Sequence, residues 1–234
     1  MVDKKAVRIQ TSILNGLEKK VLVWLAERQP RWVVSDTMTI IGIIGSVMIA
    51  AGFLLSNCNI NWLWLSIAGF IVNWYGDSLD GTLARVRNTQ RPIYGYYLDH
   101  TVDIINEALM FIGIGLSYLM RLDIALMIFI LYLCLTLNVS INAHLKSEFK
   151  LTYGKMGPTE FRVIACLLLL AIIYIDPIRE FCTTVDLLGR KIRLASLDIA
   201  GLVILAVLTI IYISAVISDA KGYSIMDPLP KSEE

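Results

Sequence analysis

TMTIIGIIGSVMIAAGFLLSNCNINWLWLSIAGFIVNWYG, residues Thr37–Gly76, runs for 40 residues without one formal charge. The polar cluster Ser56-Asn57-Cys58-Asn59 divides it. A bilayer core takes about 20 apolar residues per helix, so the stretch predicts two membrane-crossing helices joined by a tight hairpin. Outward from it, Ile124–Ala143 and Ile199–Ser218 are two more charge-free runs of 20 residues. Val163–Ile175 gives only 13 and reaches spanning length by starting at Pro158, a residue favoured in a first helical turn. The alternative for so short a run is an interfacial or buried helix. A further helix is expected from Tyr96 to Met120, with Asp99, Asp103 and Glu107 in its first half. Ionisable groups inside a membrane helix are costly and mark function.

The whole chain agrees with that local reading. Of 234 residues, 56% are hydrophobic and 18% charged, the reverse of what disorder needs. Four cysteines are too few for a disulfide scaffold, although Cys58 and Cys182 are both assigned to the outer side and could pair. A net charge of +1 gives no basic field, so no nucleic-acid partner is expected. The expected fold class is an all-α integral membrane protein with six transmembrane helices plus an N-terminal amphipathic juxtamembrane helix. Its segments are a cytoplasmic amphipathic part at 1–36, a six-helix domain at 37–218 and a cytoplasmic tail at 219–234.

Six spans place residues 1–36, 77–95, 144–162 and 219–234 on one side, and these carry 16 of the 21 Lys and Arg residues. The positive-inside rule therefore puts both termini in the cytoplasm. The outer loop Asp176–Asp198, with Arg179, Arg190, Lys191 and Arg193, is a local exception. Ile13, Leu17, Val21, Leu22 and Leu25 recur at helical spacing beside Lys19, Lys20 and Arg28. They read either as a helix on the inner leaflet or as a packing helix with a solvated face. No apolar h-region follows the initial Met-Val-Asp-Lys-Lys, so no cleaved signal peptide is expected. Trp62, Trp64 and Trp74 suit interfacial anchors near the two ends of the second span.

At the cytoplasmic end of that span the sequence reads Gly76-Asp77-Ser-Leu-Asp80-Gly81-Thr-Leu-Ala84-Arg85, followed after nine residues by Gly95-Tyr-Tyr-Leu-Asp99-His-Thr-Val-Asp103. Asp77 and Asp80 are three apart and Asp99 and Asp103 four apart, so each pair shares a helix face. If the helices adjoin, four carboxylates converge at the inner membrane boundary and repel strongly in a low dielectric. Divalent cations compensate such a cluster and bridge it to substrate phosphates. Gly81 and Ala84 leave room for a nucleotide, Arg85 offers a bidentate fork to a phosphate, and Gly95 permits close helix approach.

This pattern, Asp-x2-Asp-Gly-x2-Ala-Arg then Gly-x3-Asp-x3-Asp, resembles the signature of the CDP-alcohol phosphotransferases. The gap of nine residues, Val86–Tyr94, is one longer than that family usually has. The resemblance implies a six-helix membrane enzyme, a homodimer, that displaces CMP from a CDP-linked donor with an alcohol acceptor. It implies two divalent ions, Mg²⁺ or Mn²⁺, held by Asp77, Asp80, Asp99 and Asp103, with Asp103 also the catalytic base. Asp80, Gly81, Ala84 and Arg85 would contact the CDP moiety. Compact size is similar to the enzymes that use CDP-diacylglycerol, which is the expected donor. Asp99-His100 instead resembles the aminoalcohol branch, with CDP-choline or CDP-ethanolamine as donor and diacylglycerol as acceptor. Ile104 stands where many phosphatidylinositol-type enzymes carry a basic residue. The competing class is a transporter with an acidic ion site. Arg162, with Lys146 or Lys155, is either a phosphate-binding residue or a structural partner of Glu160; His100 is expected to pack.

Overall fold

The computed structural model describes residues 7–9, 15–146, 148–150, 157–187 and 189–229. Its elements in chain order are β1 (Val7–Ile9), α1 (Asn15–Glu27), α2 (Ser35–Ser56), a 3-10 turn (Ile60–Trp62), α3 (Leu63–Val86), α4 (Pro92–Gly115) and α5 (Leu122–Lys146). There follow β2 (Glu148–Lys150), α6 (Pro158–Tyr174), α7 (Asp176–Glu180), the strands β3 (Cys182–Leu187) and β4 (Arg190–Ala195), and α8 (Ser196–Met226). Among the described residues three helices, α2, α5 and α8, are long and apolar enough to cross a membrane. α3 and α4 are as long but carry the aspartates, and α6 has 17 residues.

Two features depart from an all-α chain. β1 and β2 pair in parallel, Val7 with Glu148. β3 and β4 form an antiparallel hairpin, Cys182 opposite Ala195 and Leu187 opposite Arg190. Gly189, at φ +77°, supplies the left-handed residue its turn requires. Cys58 and Cys182 are exposed and unpaired with each other. α4 starts at Pro92, four residues before Tyr96, because proline loses nothing in a first turn where no N–H is bonded.

Pro158 starts α6 for the same reason, and Glu160 Oε2 accepts from the Gly157 amide at 2.9 Å to cap it. At the opposite end of the bundle, Asn59 Oδ1 accepts from Asn61 N at 2.9 Å in the turn before α3. Asn57 reads the α4–α5 connection, donating to Leu116 O at 3.1 Å and accepting from Tyr118 N at 2.7 Å. Buried Asp198 accepts from Arg121 N and Ala195 N, tying α5 to α8.

Packing divides into two apolar cores. One joins Ile49 and Phe53 of α2, Leu63, Ile67 and Phe70 of α3, and residues of α5, α6 and α8. The other joins Leu22 and Ala26 of α1, Val33, Met38 of α2, and Leu79 and Leu83 of α3. Along α2 and α3 the residues between these cores are small or polar: Gly42, Ser46, Asn73 and Asp77. Asn73 is fully enclosed and donates to Gly42 O at 3.1 Å and Ser46 Oγ at 3.0 Å. The functional chemistry sits in this polar layer.

α1 packs by Leu22 and Ala26, while Leu17 and Trp24 stay exposed. Glu18 fastens it, accepting from Trp74 Nε1 at 2.9 Å and Thr159 Oγ1 at 2.5 Å. Trp74 thus faces α1, whereas Trp62 and Trp64 are exposed. α8 leaves Val203, Val207, Ile210 and Ile213 exposed along its length, an apolar face suited to lipid contact.

Candidate active site

The site is assembled on α2, α3 and α4, with α2 packed against both of the others. Glycines allow the α2–α3 approach. A Cβ on Gly76 would collide with the Gly42 amide nitrogen and stand 2.5 Å from Met38 O. α3 stops directly after Arg85 in a Schellman turn. Thr89 N donates to Ala84 O at 3.0 Å and Asn88 N to Arg85 O at 3.2 Å, with Asn88 at φ 54°. Arg87 locks that turn to the α1–α2 connection by donating to Val33 O, to Gln29 O at 2.8 Å and to Pro30 O at 2.9 Å. The long Val86–Tyr94 gap is therefore one helix terminus, a short turn and the first residues of α4.

Asp77 from α3 and Asp99 and Asp103 from α4 each offer a carboxylate oxygen, and these oxygens lie within 4.8 Å of one another. They line a small cleft together with Thr39, Gly42, Asp80, Val102 and Asn106. Asp80 belongs to the cavity but is bonded elsewhere. Its Oδ2 accepts from Thr39 Oγ1 at 3.1 Å, its Oδ1 from the Gly81 amide, and Ser35 Oγ donates to its carbonyl at 2.9 Å.

Arg162 of α6 reaches this cluster from the side. Its Nη2 donates to Asp77 Oδ2 at 2.5 Å and its Nε to Asn73 Oδ1 at 3.0 Å. With 15% and 22% of the two side chains exposed, the ion pair is largely withdrawn from water. It offsets part of the repulsion among the carboxylates.

Of the nucleotide-contacting set, Arg85 curls back over its own helix. Its Nη2 donates to Thr82 Oγ1 at 2.9 Å, and a Cβ on Gly81 would meet its Nη1 at 3.4 Å. Ala84 is half-buried on the same terminal turn. Gly95 departs from expectation: it is exposed, and a Cβ there would meet nothing within 4 Å. A close helix approach is made at Gly76 and Gly42, between α3 and α2. His100 stacks on Tyr96, centroids 4.1 Å apart, and its Nδ1 lies 3.7 Å from Asp99 Oδ2. Lys155 and the side chain of Lys146 lie outside the described residues.

Thr39, Asn73 and Asn106 are site residues that motif reading passed over; each is a buried polar group. Asn106 Oδ1 is a buried side-chain atom with no hydrogen-bond partner among the described residues. The donor set facing the cavity is thus all oxygen: three clustered carboxylates and one orphaned amide oxygen. Hard divalent cations take such ligands, so these residues fit Mg²⁺ or Mn²⁺.

Comparison with known proteins agrees with this chemistry. The chain is 32% identical over 89 residues to an archaetidylinositol phosphate synthase of Pyrococcus horikoshii, a match covering 38% of this chain and 44% of that protein. It therefore spans less than half the length of that relative. Residues 32–213, more than three quarters of the chain and all of the aspartate site, match the CDP-alcohol phosphatidyltransferase family, and the chain belongs to it.

Proposed function

We propose that the protein transfers a phosphatidyl group from a CDP-linked donor, of the CDP-diacylglycerol type, to an alcohol, releasing CMP. The observation that carries this reading is the meeting of Asp77, Asp99 and Asp103 from two helices with oxygens within 4.8 Å. Asp77, Asp80, Asp99 and Asp103 would hold two divalent ions, which when bound neutralise the donor pyrophosphate and stabilise the departing CMP.

The remaining work falls to the chain's own groups. Asp103 accepts the proton of the acceptor hydroxyl as its oxygen bonds the lipid-linked phosphorus and the bond from that phosphorus to CMP breaks. Gly81 and Ala84 keep the end of α3 low enough for a nucleotide, and Arg85 swings from Thr82 to the CMP phosphate. Arg162 fixes the rotamer of Asp77; its two bonds there support this role over capture of a free acceptor phosphate.

The same proposal includes six spans formed by α2, α3, α4, α5, α6 and α8, with both termini and the aspartates on the cytoplasmic side, and a homodimer. Cytosolic CDP-linked substrates would reach a site so placed. The relative is named for making an archaetidylinositol phosphate, which supports a lipid-bearing donor and a phosphorylated polyol as the first acceptor to test. A second reading, transfer from CDP-ethanolamine or CDP-choline to diacylglycerol, rests on His100 beside Asp99. Lipid mass spectrometry of a host expressing the protein, against its Asp99→Asn variant, separates these. A new phosphatidyl-polyol supports the first reading and a new aminoalcohol lipid the second. No lipid difference would leave the transporter class standing.

A further inference from the structure

Asn106 follows Asp103 by three residues on α4 and lines the same cavity as the four aspartates. It is 4% exposed, and its Oδ1 has no hydrogen-bond partner among the described residues. Leaving a buried acceptor unpaired is costly, so native side chains seldom tolerate it without a ligand. The neighbours restrict what that ligand is. An amide oxygen only accepts, and the clustered groups beside it, Asp77, Asp99 and Asp103, are acceptors too. Four acceptors turned on one cavity are satisfied together by a cation. Asn106 lies one helical turn beyond Asp103, farther from the α3–α4 loop than any of the aspartates.

We infer that Asn106 Oδ1 is a further oxygen ligand of the divalent-ion site, a proposal that rests on reading the aspartate cluster as a metal site. A neutral ligand adds coordination without adding a fifth negative charge to a cavity that already holds four carboxylates.

Manganese titration followed by electron paramagnetic resonance, on full-length protein in detergent without substrate, tests this. Wild type should bind Mn²⁺. Asn106→Leu, which removes the oxygen at similar volume, should weaken binding about tenfold, as loss of a ligand or its support does. Asn106→Asp, which keeps an oxygen in place, should bind at wild-type strength or tighter. The metal-free melting midpoint of Asn106→Leu should be no lower than wild type, because no hydrogen bond of that oxygen is lost. Unchanged Mn²⁺ affinity in Asn106→Leu overturns the inference while leaving the metal site intact. If Asn106→Leu misfolds, weak binding by Asn106→Asp overturns it as well. Absence of Mn²⁺ binding in wild type would remove both the inference and the reading beneath it.

Discussion

Replacing Arg162 by leucine takes the cation bonded to Asp77 out of the polar layer. The pair is close, 2.5 Å, and both side chains are mostly buried. Breaking a buried ion pair from one side costs about 3–5 kcal/mol, because the surviving charge has neither partner nor water. Residual exposure of Asp77 argues for the lower end, about 3 kcal/mol. For a chain of this length that converts at about 2–4 °C per kcal/mol into a fall of about 6–12 °C in melting midpoint.

Tryptophan fluorescence of metal-free protein in detergent reads it, Trp74 lying three residues from Asp77. Two companion measurements isolate the cause. The double variant Arg162→Leu/Asp77→Asn removes both charges and should recover more than half of the loss. Saturating Mg²⁺ should narrow the gap between Arg162→Leu and wild type, since the ion supplies the missing positive charge. A loss under about 1 kcal/mol, the range of an exposed pair, would refute the reasoning. So would a double variant that melts below the single one.

Gly76→Ala should destabilise the fold by about 1–3 kcal/mol and weaken Mn²⁺ binding, because its methyl would collide with the Gly42 backbone; the melting midpoint and metal titration check this. Gly95→Ala should keep turnover near wild type and raise the midpoint slightly, alanine being better than glycine in a helix by about 1 kcal/mol; a large loss of activity would return Gly95 to the packing role. Asp103→Asn should lower kcat about 10²–10⁴-fold with the fold retained, as loss of a general base does, measured by CMP release and circular dichroism.

How much of this was legible in the sequence varied with the physics behind each feature. Charge-free runs locate α2 and α5 to within a few residues and the start of α8, because exclusion of charge from lipid acts directly on composition; α8 continues past Ser218 to Met226. Pro158 marks the start of α6, and Pro92 is the same signal at the start of α4, four residues before the Tyr96 start that the sequence reading gives. The β3–β4 hairpin escaped notice because its charges were counted for topology. Its alternation of Val185, Leu187, Ile192 and Leu194 with polar residues around Gly189 was the available sign.

The aspartates were readable because their spacing repeats the helical period. The partner of Arg162 was not, since Asp77 lies 85 residues away and only the packing of α6 on α3 joins them. Gly95 misled for the converse reason: a small residue permits close packing without compelling it. Asn73 and Asn106, single amides in apolar helices, were the cue to the polar layer.

The central claim is that the aspartate cluster, loaded with a divalent ion, releases CMP from a CDP-linked donor. It is tested most directly by measuring CMP from purified protein supplied with CDP-diacylglycerol, a panel of alcohols that includes an inositol phosphate, and Mg²⁺. The account predicts CMP release that requires an acceptor, stops with EDTA, returns with added Mg²⁺ or Mn²⁺, and is lost in Asp99→Asn. CMP release unaffected by EDTA, or no release from any CDP compound with any acceptor, would contradict it.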